Sequence, residues 1–262
     1  MAMAHDFDKT ILERVAHRPW EMPDRPWLMT QTWHDLLFAH WPVAADELRP
    51  LVPPAFELDT FTGQAWIGVV PFYMTNVAPR GVPAVSWISE FPELNVRTYV
   101  RIGDRPGVYF FSLDAGSALA VRTARLLLNL PYFSATMTVR VHQSRVLYQS
   151  RRDDSAKTAI FEADYWPTGS CFAVQPETLE YFLTERYCLY HVDHQSRPYR
   201  LEIHHPPGVL QSADAVIREN TMADAAGVSL PAARPLLHFA KRQDMVAWAP
   251  TTIAGKAEPL SP

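Results

Sequence analysis

Lysine is scarce in this chain. Of its 24 basic residues only Lys9, Lys157, Lys241 and Lys256 are lysines, and none falls within residues 93–133, the stretch that most resembles an active site. Arginine binds planar anions in a fixed fork but cannot form an imine, so Schiff-base chemistry built on that stretch is excluded. Cysteine is rarer still. Cys171 and Cys188 have no CxxC spacing, which removes a disulfide framework and leaves two thiols expected to be buried. The ten glycines form neither a GxGxxG nor a Walker pattern, so no dinucleotide or nucleoside triphosphate is expected. A formal charge of -4 and a pI near 6.2 lack the basic face that a nucleic-acid partner requires. The longest uninterrupted apolar stretches, 66–72 and 126–128, are too short to cross a bilayer, and the first residues lack a signal-peptide core. No membrane partner is therefore expected, and the cytoplasm is the expected address.

What is present is ordinary globular material. Hydrophobic residues make up 48% and charged residues 20%, enough to bury a sizeable core. The expected organisation is an N-terminal arm over residues 1–27, one domain over 28–250 and a disordered tail over 251–262. Within the arm, residues 9–17 read as an amphipathic helix ended by Pro19, Pro23 and Pro26. Strand patterns follow at 32–43, 64–77, 93–102, 107–113, 135–143, 145–150, 159–165, 199–204 and 236–248, the first of them leading into a short helix at 45–51. Two longer helices are expected at 117–129, capped by Ser117 or Asp114, and at 176–187, with Pro176 at its first position. A weaker one is expected at 213–220. The fold class is α+β, mainly antiparallel β, with two or three packed helices.

Strand 93–102 carries the most suggestive pattern. Period two places Glu93, Asn95, Arg97, Tyr99 and Arg101 on one face and Leu94, Val96, Thr98 and Val100 on the other. The polar face fits either a solvated outer surface or the wall of a polar cavity. The helix at 117–129 is apolar on most sides yet sets Arg122 and Arg125 three residues apart. A buried helix must pair such charges, with carboxylates of the protein or with a bound anion. Glu185, Arg186 and Tyr187 could serve acid–base work, or could lock a helix end onto a strand. His34, His40, His191, His194, His204 and His205 have no HExxH pairing, and adjacent histidines on a strand point to opposite faces. Satisfied core or turn histidines are expected rather than a metal site. No Gly-x-Ser-x-Gly elbow is present.

Six strings occurring in order, WHDLLFAHWPV (33–43), LRPLVPPAFELDTFTGQAWIGVVPF (48–72), ELNVRTYVR (93–101), GVYFFSLDA (107–115), LPYF (130–133) and LTERYCLY (183–190), resemble the YqjF-like family of unknown function, domain of unknown function 2071. The resemblance covers roughly residues 28–248. One departure is Gly208-Val209, where the family pattern has Trp-Pro. The order of these strings is also similar to the acetoacetate decarboxylases, whose fold is a β-rich barrel around a small pocket. In those enzymes the helix ends in Pro-Lys-Lys and the first lysine forms the Schiff base. Here the two positions read Tyr132-Phe133. A family glutamate falls near Glu90 or Glu93, and an early arginine is replaced by about His34.

Two functions remain open beside a purely structural role, in which Glu93, Arg97 and Arg125 pair with each other and leave no cavity. The first is a lyase, isomerase or hydrolase that needs no cofactor or metal and acts on a small oxo- or carboxylate-bearing metabolite. In it Arg97 or Arg125 holds the anion, with Arg122, Asn95, His34 and Trp41 as further binding candidates, while Glu93 moves a proton and Tyr132 donates to the developing enolate oxygen. The second is a non-catalytic binding or sensing module with Trp41, Trp66, Tyr109 and Tyr132 lining the pocket. Related barrels commonly assemble, so the expected partners are a small-molecule ligand and a second copy.

Overall fold

The computed structural model describes residues 7–84, 89–153 and 158–253. Thirteen strands are present among them: β1 (Met29–Val43), β2 (Glu57–Leu58), β3 (Ala65–Pro79), β4 (Phe91–Ile102), β5 (Arg105–Ala115), β6 (Tyr132–His142), β7 (Arg145–Arg152), β8 (Ile160–Ala173), β9 (Cys188–Val192), β10 (Pro198–His204), β11 (Val209–Asn220), β12 (Leu236–Ala247) and β13 (Thr251–Thr252). Four helices accompany them: α1 (Ala45–Leu48), α2 (Ala118–Leu128), α3 (Leu179–Thr184) and α4 (Met222–Ala225). No helix among the described residues is long and apolar enough to cross a membrane.

All the strands belong to one mixed sheet that curls in a ring. Most pairings are antiparallel, but β5 runs parallel to both β6 and β9. Strand pairing closes two circuits that share β12, β1, β3, β4 and β5. One returns through β9 and β10, the other through β6, β7, β8 and β11. Because successive side chains point to opposite faces, neighbouring residues of the shared strands feed different circuits, with the parity changing at irregularities such as the one in the β4–β5 pairing. Leu36, Phe38, Val70, Phe72, Leu189 and Met245 belong to the core of the first circuit. Leu37, Ala39, Val69, Leu94, Tyr148 and Phe161 belong to the core of the second. Each shared strand is thus covered on both sides.

Several expected elements differ. Residues 213–220 are part of strand β11, paired with β8 along its length, because the β-branched Val216 and Ile217 suit a pleated edge better than a helix. The arm helix shrinks to a 3₁₀ turn, Lys9–Glu13, capped by Asp8. The residues beyond it are drawn off by tertiary bonds: Arg18 donates to the Ile203 carbonyl (2.7 Å), and His17 lies 2.8 Å from the His205 carbonyl. Helix α3 starts after Thr178, whose hydroxyl caps it, and not at Pro176. Thr251 and Thr252, expected in the tail, pair with β10, while residues 254–262 lie outside the described residues. Cys188 is buried as expected, but Cys171 is exposed.

Candidate functional site

The first circuit is not filled. It encloses a cavity of about 110 Å³. Glu93, Asn95 and Arg97 of β4 line one wall, so this part of the polar stripe faces inward, while Arg101 at its end is exposed to solvent. The opposite stripe, Leu94 and Val96, packs into the second circuit, where the Tyr148 hydroxyl donates to the Glu93 carbonyl (2.7 Å) and holds the strand in place.

Glu93 is 3% exposed and its Oε2 accepts a hydrogen bond from the Tyr132 hydroxyl at 3.0 Å. Tyr132 is brought there by the turn that ends α2. Asn129 adopts a left-handed conformation (φ 51°), and the Pro131 carbonyl accepts from the Leu113 amide, which starts the parallel β5–β6 pairing. Burial pushes the Glu93 carboxyl up to about 8. The Tyr132 bond opposes this rise, and the charge of Asp114 adds to it. Burial, then the charge of Glu93 and the bond to it, push the Tyr132 phenol well above its usual range, so it stays a neutral donor. Asp114 is not the helix cap. It is fully buried and receives two bonds from Arg152, at 2.7 and 2.8 Å, and the cap is Ser117.

At the far end of the stripe Arg97 donates to the Leu183 carbonyl (3.0 Å) and to the Tyr99 hydroxyl (3.4 Å), and its guanidinium lies over the Phe38 and Tyr99 rings. Its Nε has no acceptor, and no carboxylate partner for it is found among the described residues. Asn95 Oδ1 is likewise buried without a hydrogen bond. Two unpaired polar groups on one cavity wall are costly unless a ligand or water completes them. The rest of the lining, from Val70, Phe72, Leu113, Leu130, Leu201 and Met245 among others, is apolar.

The remaining candidates lie elsewhere. Arg122 and Arg125 are exposed on α2, whose Leu119 is 54% exposed, so this helix is not largely buried. Arg125 holds the local turn by donating to the Tyr132 carbonyl (2.6 Å). His34 bonds Thr75 beside an irregular stretch of β1, and Trp41 is packed in the second circuit. None of these four lines the cavity, nor do Trp66 and Tyr109. His40 and His204 each find a partner, at Tyr99 and the Ile11 carbonyl. No group of three His, Cys, Asp or Glu side chains that could hold a metal occurs among the described residues.

Gln31, Trp33, Gln243 and His205 also line the cavity, and no sequence signal singled out the first three. Glu185 and Arg186 line it too, and separate it from an outer depression of about 380 Å³ edged by Asp59, Phe61 and Phe182. Arg186 bonds Asp59 (2.6 Å) and the Phe182 carbonyl at the end of α3. Glu185 accepts from the Tyr187 hydroxyl and from the Gly208 amide (2.8 Å). A Cβ at Gly208 would stand 2.8 Å from Glu185 Oε1, so the glycine at this departure from the family pattern leaves room for the carboxylate.

The model of DUF2071, a family of uncharacterized conserved proteins, matches residues 30–244. The uncharacterized protein YqjF of Bacillus subtilis is 47% identical over 236 residues, covering 90% of this chain and 97% of YqjF. Among solved structures, acetoacetate decarboxylase from Legionella pneumophila superposes with a TM-score of 0.60 at 11% identity, over 98% of this chain and 99% of that one. The enduracididine biosynthesis enzyme MppR, complexed with the condensation product of pyruvate and imidazole 4-carboxaldehyde, superposes with a TM-score of 0.59 at 12% identity, over 91% and 94%. At such identities these structures establish a shared fold.

Proposed function

For this chain, which belongs to the DUF2071 family, we propose a cofactor-independent enzyme that moves a proton on a small oxo-acid held in the first circuit. The observation that carries the reading is the Glu93–Tyr132 pair: a buried carboxyl pushed up to about 8, hydrogen-bonded to a neutral phenol, on a cavity wall. A carboxyl in that range carries a proton at neutral pH and can exchange it with a ligand, where an ordinary one is already ionised. Arg97, with an unsatisfied Nε and no carboxylate partner among the described residues, supplies the anion hook, and Asn95 offers a further polar contact. Tyr132 donates to the oxygen on which charge develops. The bound pyruvate product in the MppR structure supports the choice of ligand class. Imine formation has no part in this scheme, since no lysine lies within residues 93–133 or lines the cavity among the described residues.

The two free thiols fit a cytoplasmic setting, and the reading takes the working form to be a homodimer, which sedimentation will check. The function is tested by titrating pyruvate, acetoacetate and acetate into the protein by calorimetry and following each ligand by NMR. Binding that is lost in Arg97→Met, with turnover or proton exchange lost in Glu93→Gln, supports it. Hits recovered unchanged and unexchanged favour the alternative, a binding or sensing module, to which the mostly apolar lining also lends itself.

A further inference from the structure

The first circuit holds a second carboxyl–phenol pair, in the link between α3 and β9, which reaches from β4, where Arg97 and Tyr99 donate to the Leu183 carbonyl, to Gly208 beyond β10, which donates to Glu185. Going round this circuit, β4 is three strands from β12 by way of β3 and β1, and three from β10 by way of β5 and β9. The β10–β12 seam, Ile203↔Ala247 and His204↔Val246, therefore lies across the circuit from β4. The chain leaves β10 at that seam and runs through His205 to Gly208, both of which line the cavity. Gly208 is the residue whose amide holds Glu185 Oε1, while the Tyr187 hydroxyl holds Oε2. Tyr187 is itself fixed by stacking on His205, with ring centroids 4.6 Å apart. Glu185 is 5% exposed, lines the cavity, and has no cation partner among the described residues, since the neighbouring Arg186 is engaged by Asp59. A buried carboxyl held by a phenol and a backbone amide, with no cation partner among the described residues, is costly to keep for structure alone.

We infer that Glu185 is a second proton-transfer residue of this cavity, acting on the same ligand as Glu93, and that the site is built for keto–enol interconversion of a small 2- or 3-oxo acid. This rests on the proposed function. In the forward step the Glu185 carboxylate takes a proton from the carbon beside the ligand's carbonyl, and the C–H electron pair becomes the new C=C bond. The carbonyl π pair moves to oxygen, which takes the proton of the Glu93 carboxyl. The enol returns that proton to Glu93 while Glu185 returns a proton to the original carbon, after exchange with solvent. No oxidant, reductant or cofactor is consumed. Tyr187 and Gly208 are positioning residues that aim the Glu185 carboxylate.

The test uses pyruvate in D₂O, with loss of its methyl proton signal followed by NMR and its affinity measured by calorimetry. Wild-type protein should exchange the methyl protons, and Glu185→Gln should slow this about 100-fold or more while leaving the Kd near the wild-type value. Tyr187→Phe removes one hydrogen bond to the carboxylate. It should move the pH profile of exchange without abolishing binding, and it serves if Glu185→Gln fails to fold. Exchange at the wild-type rate in Glu185→Gln, or an unmoved profile in Tyr187→Phe, overturns the assignment of Glu185 while the Glu93 reading stands. Wild-type protein that binds pyruvate without exchanging it also overturns the inference. Failure of wild-type protein to bind pyruvate and acetoacetate removes the proposed function itself, and the inference with it.

Discussion

The two circuits of the sheet share five strands and differ in how they are filled. The second is filled with aromatic side chains: Tyr148, Phe161, Tyr165 and Phe239 belong to its core with almost no exposure, and each tyrosine hydroxyl reaches a backbone carbonyl. The first leaves a cavity and sets Glu93, Asn95, Arg97 and Glu185 around it. Stability resides in one circuit, and polar groups that a stable core would avoid are concentrated in the other. The contrast runs through single strands, since Leu94 and Val96 serve the solid circuit while Glu93 and Asn95 serve the hollow one.

The largest expected effects lie on the solid side. Tyr148→Ala or Phe161→Ala should cost about 3–5 kcal/mol of stability by chemical denaturation, because the space cannot collapse. Arg152→Met takes from the buried Asp114 carboxylate the two hydrogen bonds that Arg152 gives it, and should cost a similar ~3–5 kcal/mol. On the hollow side Leu130→Ala should cost less, about 2 kcal/mol, because it enlarges a space that already exists. Smallest of all is Arg97→Met, within about 1 kcal/mol of wild type or slightly stabilising, since it removes an incompletely satisfied charge along with the anion site. If Leu130→Ala and Arg97→Met prove as damaging as the Tyr148 change, the division between circuits fails.

Much of this arrangement was legible in the residues. The alternation in 93–101 marked a two-faced strand, and Glu93, Asn95, Arg97 and Tyr132 do meet at one cavity. What it could not disclose was which way the polar face turned, because a solvated face and a cavity wall have the same period. Arg122 and Arg125 stand away from the cavity because the apolar helix they sit on lies at the surface, and Trp41 because its neighbours on β1 alternate between circuits. Glu185 was legible as a residue type but not as a site: its tie to Gly208 joins positions 23 residues apart.

Protonation supplies the sharpest separation between the circuits. The Glu93 carboxyl titrates near 8 in the folded protein and near 4.5 in the unfolded chain. Below the unfolded value it carries no penalty. As pH rises from about 5 to 8 the unfolded chain loses its proton first, so stability falls, and above about 8 the loss is complete. Glu93→Gln should remove this slope, whereas variants of the solid circuit should shift the whole curve down without changing its shape.

The most direct measurement is a ¹³C NMR titration of the glutamate side-chain carboxyls, with Glu93 assigned by its absence in Glu93→Gln. A Glu93 resonance that titrates near 8 is the predicted result. A resonance that titrates near 4.5, like an exposed glutamate, would contradict the account, because Glu93 would then carry no proton to exchange at neutral pH.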